Sequence, residues 1–148
     1  MKGSMQQGKL QKNIWQRGFT LLELLVVISI IGILVAMGAV AYSNAQQKGR
    51  DAKRVGDMKA IQAAFEQYYS INTAYNTNCS TMAVQGGLPV LPTDPKPNWA
   101  AYTTSGGCTS SSTYCICADL EANTGNSSNT SCTGWTTGGG YFCVSQQQ

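Results

Sequence analysis

From Phe19 to Ala41 the chain reads FTLLELLVVISIIGILVAMGAVA, and Glu23 is the one charged residue in that run. It is longer than the roughly 20 apolar residues that carry a helix across a bilayer. A helix apolar on every side needs cover on every side, which a small 148-residue chain does not supply. The segment therefore belongs in lipid or among other apolar helices. Glu23 then needs its own account, because a charge at the bilayer centre costs about 2.5–3.5 kcal/mol and such residues have a partner or a function. Near a helix start the dipole favours a carboxylate, and the side chain reaches the headgroups.

Lys2, Lys9, Lys12 and Arg17 precede the run and no acid accompanies them. The positive-inside rule puts this leader in the cytoplasm and the remainder outside. The formal charge of +3 comes from the leader: beyond Gly18, six Lys/Arg face seven Asp/Glu, a balance of −1. A nucleic-acid binder needs a clustered basic face, whereas Lys96 is the only cation after residue 70. There is no His, which removes the commonest general base and metal ligand. No nucleophile–base pattern stands in its place, so no catalytic residue, metal or cofactor is expected.

Cys79, Cys108, Cys115, Cys117, Cys132 and Cys143 all fall in a second half rich in Ser, Thr, Asn and Gly. An even number of cysteines downstream of an export signal predicts disulfides made outside the cytoplasm, each worth about 2–4 kcal/mol. Their connectivity stays open. Cys132 and Cys143 bracket Gly138-Gly139-Gly140, and a bridge between them would tie down the C-terminal strand. The close pair Cys115-Ile116-Cys117 lacks both the usual zinc spacing and the C-x-x-C of a redox site.

Beyond Ala45 the pattern becomes one-sided. Ala52, Val55, Met58, Ile61, Phe65, Tyr68 and Tyr69 recur at three- and four-residue steps, one stripe of an amphipathic helix. Lys48, Arg50, Asp51, Lys53, Arg54, Asp57, Lys59 and Glu66 lie mostly off it. The pairs Arg50/Arg54 and Arg54/Asp57 read as surface contacts worth a few tenths of a kcal/mol. No breaker intervenes, so one helix is predicted from about Phe19 to about Ser70, ~75 Å long. Gly32 and Gly38 are its soft points.

A loop with Pro89, Pro92, Pro95 and Pro97 follows, excluding helix and central strand. Strand candidates are Ala100–Thr104, Thr113–Leu120 and Tyr141–Ser145. The predicted organisation is a leader over 1–18, an apolar helix over 19–44, its amphipathic continuation over 45–70 and a loop-rich β headpiece over 71–148. The fold class is α+β, a long helix packed on a small disulfide-bonded antiparallel sheet.

Gly18-Phe19-Thr20-Leu21-Leu22-Glu23, with its basic leader and apolar span, resembles the class III signal of type IV pilins and type II secretion pseudopilins. The resemblance is strong over about residues 10–70 and architectural beyond. It implies that a prepilin peptidase cuts between Gly18 and Phe19 and that the new Phe19 amine is methylated. It also implies that Glu23 meets the Phe19 amine of a neighbouring subunit, two opposite charges being tolerable together in an apolar bundle. The implied protein is a structural subunit of a pilus-like filament, held in the inner membrane as a precursor and displayed at the cell surface once assembled. Its partners would be copies of itself, the peptidase/methyltransferase and the inner-membrane assembly machinery. A secretion pseudopilin, or a minor pilin for DNA uptake or adhesion, is the alternative.

The chain departs from the family in lacking a helix-kinking proline near Val40. Ala39-Val40-Ala41 also satisfies the small-x-small rule of ordinary signal cleavage; cutting there would release a soluble protein. The loop of Asp94 and the pair Asp119/Glu121 correspond to a region that binds calcium in major pseudopilins, though no D-x-D-x-D-G pattern is present and Asp94 reads as a turn residue. Asn78, Asn126 and Asn129 each open an N-x-S/T pattern, which chance produces readily in such a tail.

Overall fold

Helix α1 runs without a break from Leu21 to Asn72 in the computed structural model, which describes residues 18–99, 101–102, 107–108 and 110–148. The leader, apart from Gly18, lies outside the described residues. The chain divides into two units, Met1–Ala39 and Val40–Gln148. In the first, every described residue is exposed, from Gly18 through Ala39. Such a surface of Leu, Ile and Val is stable only when lipid or protein covers it.

In the second unit α1 packs one face inward, and that face differs from the apolar stripe. Its buried positions are Asp51, Arg54, Met58, Ile61, Ala64, Phe65 and Tyr68, while Ala52 is exposed and Val55 only half-buried. The three- and four-residue steps run 51, 54, 58, 61, 65, 68, so the buried face is apolar at one end and ionic at the other. Arg54, expected on the surface, is among the largest fully buried side chains. It pairs with Asp51, Asp94 and Glu121, and Asp57 is left to Lys53. The helix ends as Thr73 turns into the left-handed region at φ 54°, with its N–H on the Tyr69 carbonyl at 2.7 Å.

A second helix, α2 (Cys79–Gln85), stands where a loop was expected. Asn78 caps it, its Oδ1 accepting from the Thr81 N–H at 3.1 Å, and Met82 and Ala83 are buried. Seven residues are too few to show a helical period. Gly86 ends the helix where a Cβ would collide with the Ala64 carbonyl of α1.

Strands β1 (Cys115–Asp119), β2 (Gly125–Ser127), β3 (Trp135–Gly139) and β4 (Tyr141–Ser145) form one sheet in the order β1-β4-β2-β3. All its pairings are antiparallel. The fold is thus α+β, with two strands more than the apolar alternation revealed. β2 and β3 are built of Gly, Asn, Ser, Thr and one Trp, and neither alternates. Of the candidate over Ala100–Thr104, Ala101 and Tyr102 are irregular and the rest lies outside the described residues.

The core gathers Met58, Ile61, Phe65, Tyr75, Met82, Tyr114, Ile116 and Val144, with Tyr114 edge-on to both Phe65 and Tyr75 at 5.0 Å. Glu66 accepts hydrogen bonds from the hydroxyls of Tyr75 and Tyr114 and from the Gln147 N–H. Burial first, and that carboxylate second, push both phenols above their usual range.

Three disulfides close the headpiece: Cys79–Cys108, Cys115–Cys132 and Cys117–Cys143. The Cys132–Cys143 pairing suggested by the glycine turn is not formed. Cys117 and Cys143 face each other in the β1/β4 register, their Cα atoms 4.0 Å apart, so Cys143 is taken from across the sheet. Cys115 lies two residues along on the same face, where Cys132 reaches it from the β2–β3 loop.

Candidate functional site

Thr20 and Glu23 close a ring at the head of α1. The Glu23 N–H donates to Thr20 Oγ1 at 3.2 Å, and the Thr20 N–H donates to Glu23 Oε2 at 2.9 Å. The Thr20 hydroxyl also donates to Oε2 at 2.8 Å. This is the reciprocal capping box of a Ser/Thr-x-x-Glu sequence. It satisfies two orphan donors and places the carboxylate at the positive end of the helix. The apolar run draws attention to Glu23 alone, yet Thr20-Leu21-Leu22-Glu23 carries the signal openly.

Gly18 and Phe19 precede the helix in irregular, exposed backbone, Phe19 with 85% of its surface uncovered. The Gly18–Phe19 bond therefore lies ahead of the helix, in uncovered backbone. Ala39-Val40-Ala41 lies inside continuous α1 instead. Ser29, the one hydroxyl residue between Glu23 and Tyr42, donates its Oγ–H back to the Leu25 carbonyl at 2.7 Å, so its donor is paired within the helix. By length and composition α1 can cross a membrane.

The second cluster of charge lies in the headpiece. Arg54, with 0% of its side chain exposed, donates to Asp94 through Nε at 2.7 Å and Nη2 at 2.9 Å. Its Nη1 donates to Asp51 at 2.7 Å and Glu121 at 3.0 Å. Arg50 clasps both Glu121 oxygens at 2.6 and 2.7 Å, and Lys96 adds a contact at 3.1 Å. Asp51 also accepts from the N–H groups of Glu121 and Ala122. The bonds it donates to Asp94 foremost raise Arg54 above its ordinary range despite burial, and the bond from Arg50 foremost holds Glu121 far below the usual carboxylate value. Burial would raise Asp94, but Arg54 and the Lys96 N–H bring it below its ordinary value. Burial does raise Asp119.

Asp94 and Glu121, considered as calcium ligands, are indeed brought together. Calcium does not fit there: three cations, Arg50, Arg54 and Lys96, already answer the three carboxylates Asp51, Asp94 and Glu121, and Arg54 holds both Asp94 oxygens. Lys96 and Arg54 also face the ring of Trp99, at 3.7 and 5.5 Å from its centroid. The asparagines of the N-x-S/T patterns do structural work. Asn78 caps α2, Asn126 clasps the Cys143 backbone through both side-chain atoms, and Asn129 accepts from the Ser131 N–H.

Residues 16–39 match the family described as the prokaryotic N-terminal methylation motif. The chain is 38% identical over 88 residues to a type II secretion system core protein G of Klebsiella michiganensis, covering 59% of this chain and 58% of that protein. It is 38% identical over 89 residues to the core protein G of Pseudomonas aeruginosa, covering 57% and 58%. It is 43% identical over 51 residues to fimbrial protein Q of Moraxella bovis, covering 34% and 32%. The chain thus spans about half the length of the core protein G relatives. No solved structure matches it. The methylation motif sits on the same residues as the capped, uncovered head of α1, and the chain is similar to secretion and fimbrial proteins.

Proposed function

We propose that this chain is a structural subunit of a pilus-like filament, made as a membrane-anchored precursor and assembled through α1. The observation that carries the reading is the fully exposed apolar surface of Leu21–Ala39 headed by one carboxylate. Helices gain little from mutual apolarity while in lipid, so packing and polar contacts decide their association there. As the bundle leaves the membrane the helices shield one another from water, and the hydrophobic effect then holds it together.

Cleavage between Gly18 and Phe19 on the cytoplasmic side frees an amine on Phe19, which is methylated. In a lone subunit Glu23 is satisfied by Thr20. In the filament it also receives the Phe19 amine of a neighbouring copy, the charge pair tolerated because both members are present. Glu23→Ala should leave the precursor inserted and cleaved but abolish filaments in sheared cell-surface material. Abundant normal filaments would overturn the pairing, and a mature N-terminus at Tyr42, read by intact mass, would overturn the whole reading.

A secretion pseudopilin is the second reading, supported by the core protein G relatives. It predicts loss of an exported enzyme, rather than of long surface filaments, when the gene is deleted.

A further inference from the structure

Trp135 stands at the start of β3, on the edge of the sheet, with 50% of its surface exposed. Its indole N–H has no partner among the described residues. An edge strand is where a sheet meets a partner, and Trp135 belongs to neither core cluster.

Two open depressions of about 240 and 400 Å³ meet at Trp135 and Gln146. Lys59 and Gln62 line the first, Thr113 and Ser131 the second. No carboxylate lines either, and Lys59 forms no ion pair among the described residues. Gln62 donates its amide N–H to the Ser145 carbonyl at 2.9 Å. The surface thus offers a flat apolar ring, the hydroxyls of Thr113 and Ser131 and the amide of Gln146 beside it, and a single cation.

We propose that this surface binds a polysaccharide, with one pyranose stacked on the Trp135 indole and its neighbours in the two flanking depressions. A pyranose presents an apolar C–H face rimmed by hydroxyls, matching an aromatic ring rimmed by amides and hydroxyls. Small-molecule pockets are enclosed and mostly apolar, whereas these depressions are open and continuous past the tryptophan, as a chain lying across the surface needs. Lys59 favours sugars that carry a carboxylate. A nucleic-acid strand would also stack on indole, but its phosphates call for several cations and Lys59 is the one these depressions offer. The proposal holds whether or not the chain assembles, so its failure and that of the filament reading are separate.

The test is calorimetric titration of the full chain in detergent micelles with a hexuronate, with cellohexaose and with a deoxythymidine hexamer. The hexuronate should bind most tightly and the thymidine hexamer least. Trp135→Ala should weaken both saccharides about tenfold or more, with Trp135→Phe intermediate and all three disulfides retained. Lys59→Gln should bring the hexuronate down to the level of cellohexaose. Should Trp135→Ala misfold, Trp135→Thr, suited to an exposed strand edge, takes its place. The proposal fails if neither saccharide binds, if the Trp135 variants bind as well as the parent, or if only the thymidine hexamer binds. It fails equally if Trp135 substitution changes only self-association by sedimentation.

Discussion

Arg54 occupies a place in α1 that a methionine or leucine would fill in an ordinary amphipathic helix. Its step in the series 51, 54, 58, 61, 65, 68 was legible, but ranking residues by hydropathy discards a charge before its partners are known. Those partners, Asp94 and Glu121, are 40 and 67 residues away, and no local pattern links them. Removing one member of a buried ionic set costs about 3–5 kcal/mol, because the others stay buried without an answer. Arg54→Ala should therefore lower headpiece stability by that order in thermal melts of the full chain. Acid should act on the same cluster. Glu121 and Asp94 lie below their ordinary values of 4.5 and 3.8. Their contribution is complete above those values and is lost as pH falls through them toward the lower folded values. Asp119, raised by burial, works the other way and offsets part of the loss. Stability should be flat near neutrality and fall below about pH 4.5, and Glu121→Gln should flatten that fall.

At the scale of elements, what showed in advance was what repeats. α1 carries some fourteen turns of pattern, and β1 and β4 alternate or run apolar. α2, β2 and β3 are short and polar, held by the capping oxygen of Asn78, by disulfides and by close backbone approach. Gly139 of β3 sits where a Cβ would strike the Ser127 carbonyl, a constraint invisible until the two strands are paired. Gly86 meets the same limit against Ala64 of α1. Gly86→Ala should push α2 off α1 and destabilise by about 1–3 kcal/mol, read as a lower melting temperature with the disulfides intact. The Thr20–Glu23 box was legible as a four-residue motif but was masked by the length of the apolar run around it. Thr20→Ala should cost about 1 kcal/mol of helix stability and fray the first turn in amide exchange, without altering the headpiece.

Over the whole molecule, the headpiece places its disulfides around a sheet whose loops hold few apolar side chains. Non-reducing digestion should recover Cys79–Cys108, Cys115–Cys132 and Cys117–Cys143, and a Cys132–Cys143 peptide would contradict the β1/β4 register. The position of the cysteines told of oxidation; their pairing needed the sheet, because register decides which sulfurs meet. Arg54 has one further consequence. The positive charge that gathers the Asp94 loop and the residues after β1 is covalently part of the chain, so it arrives with the polypeptide and cannot be washed away. Chelators such as EDTA should leave the melting temperature unchanged, and added calcium should not raise it. The headpiece is built to keep its shape whatever the calcium content of its surroundings.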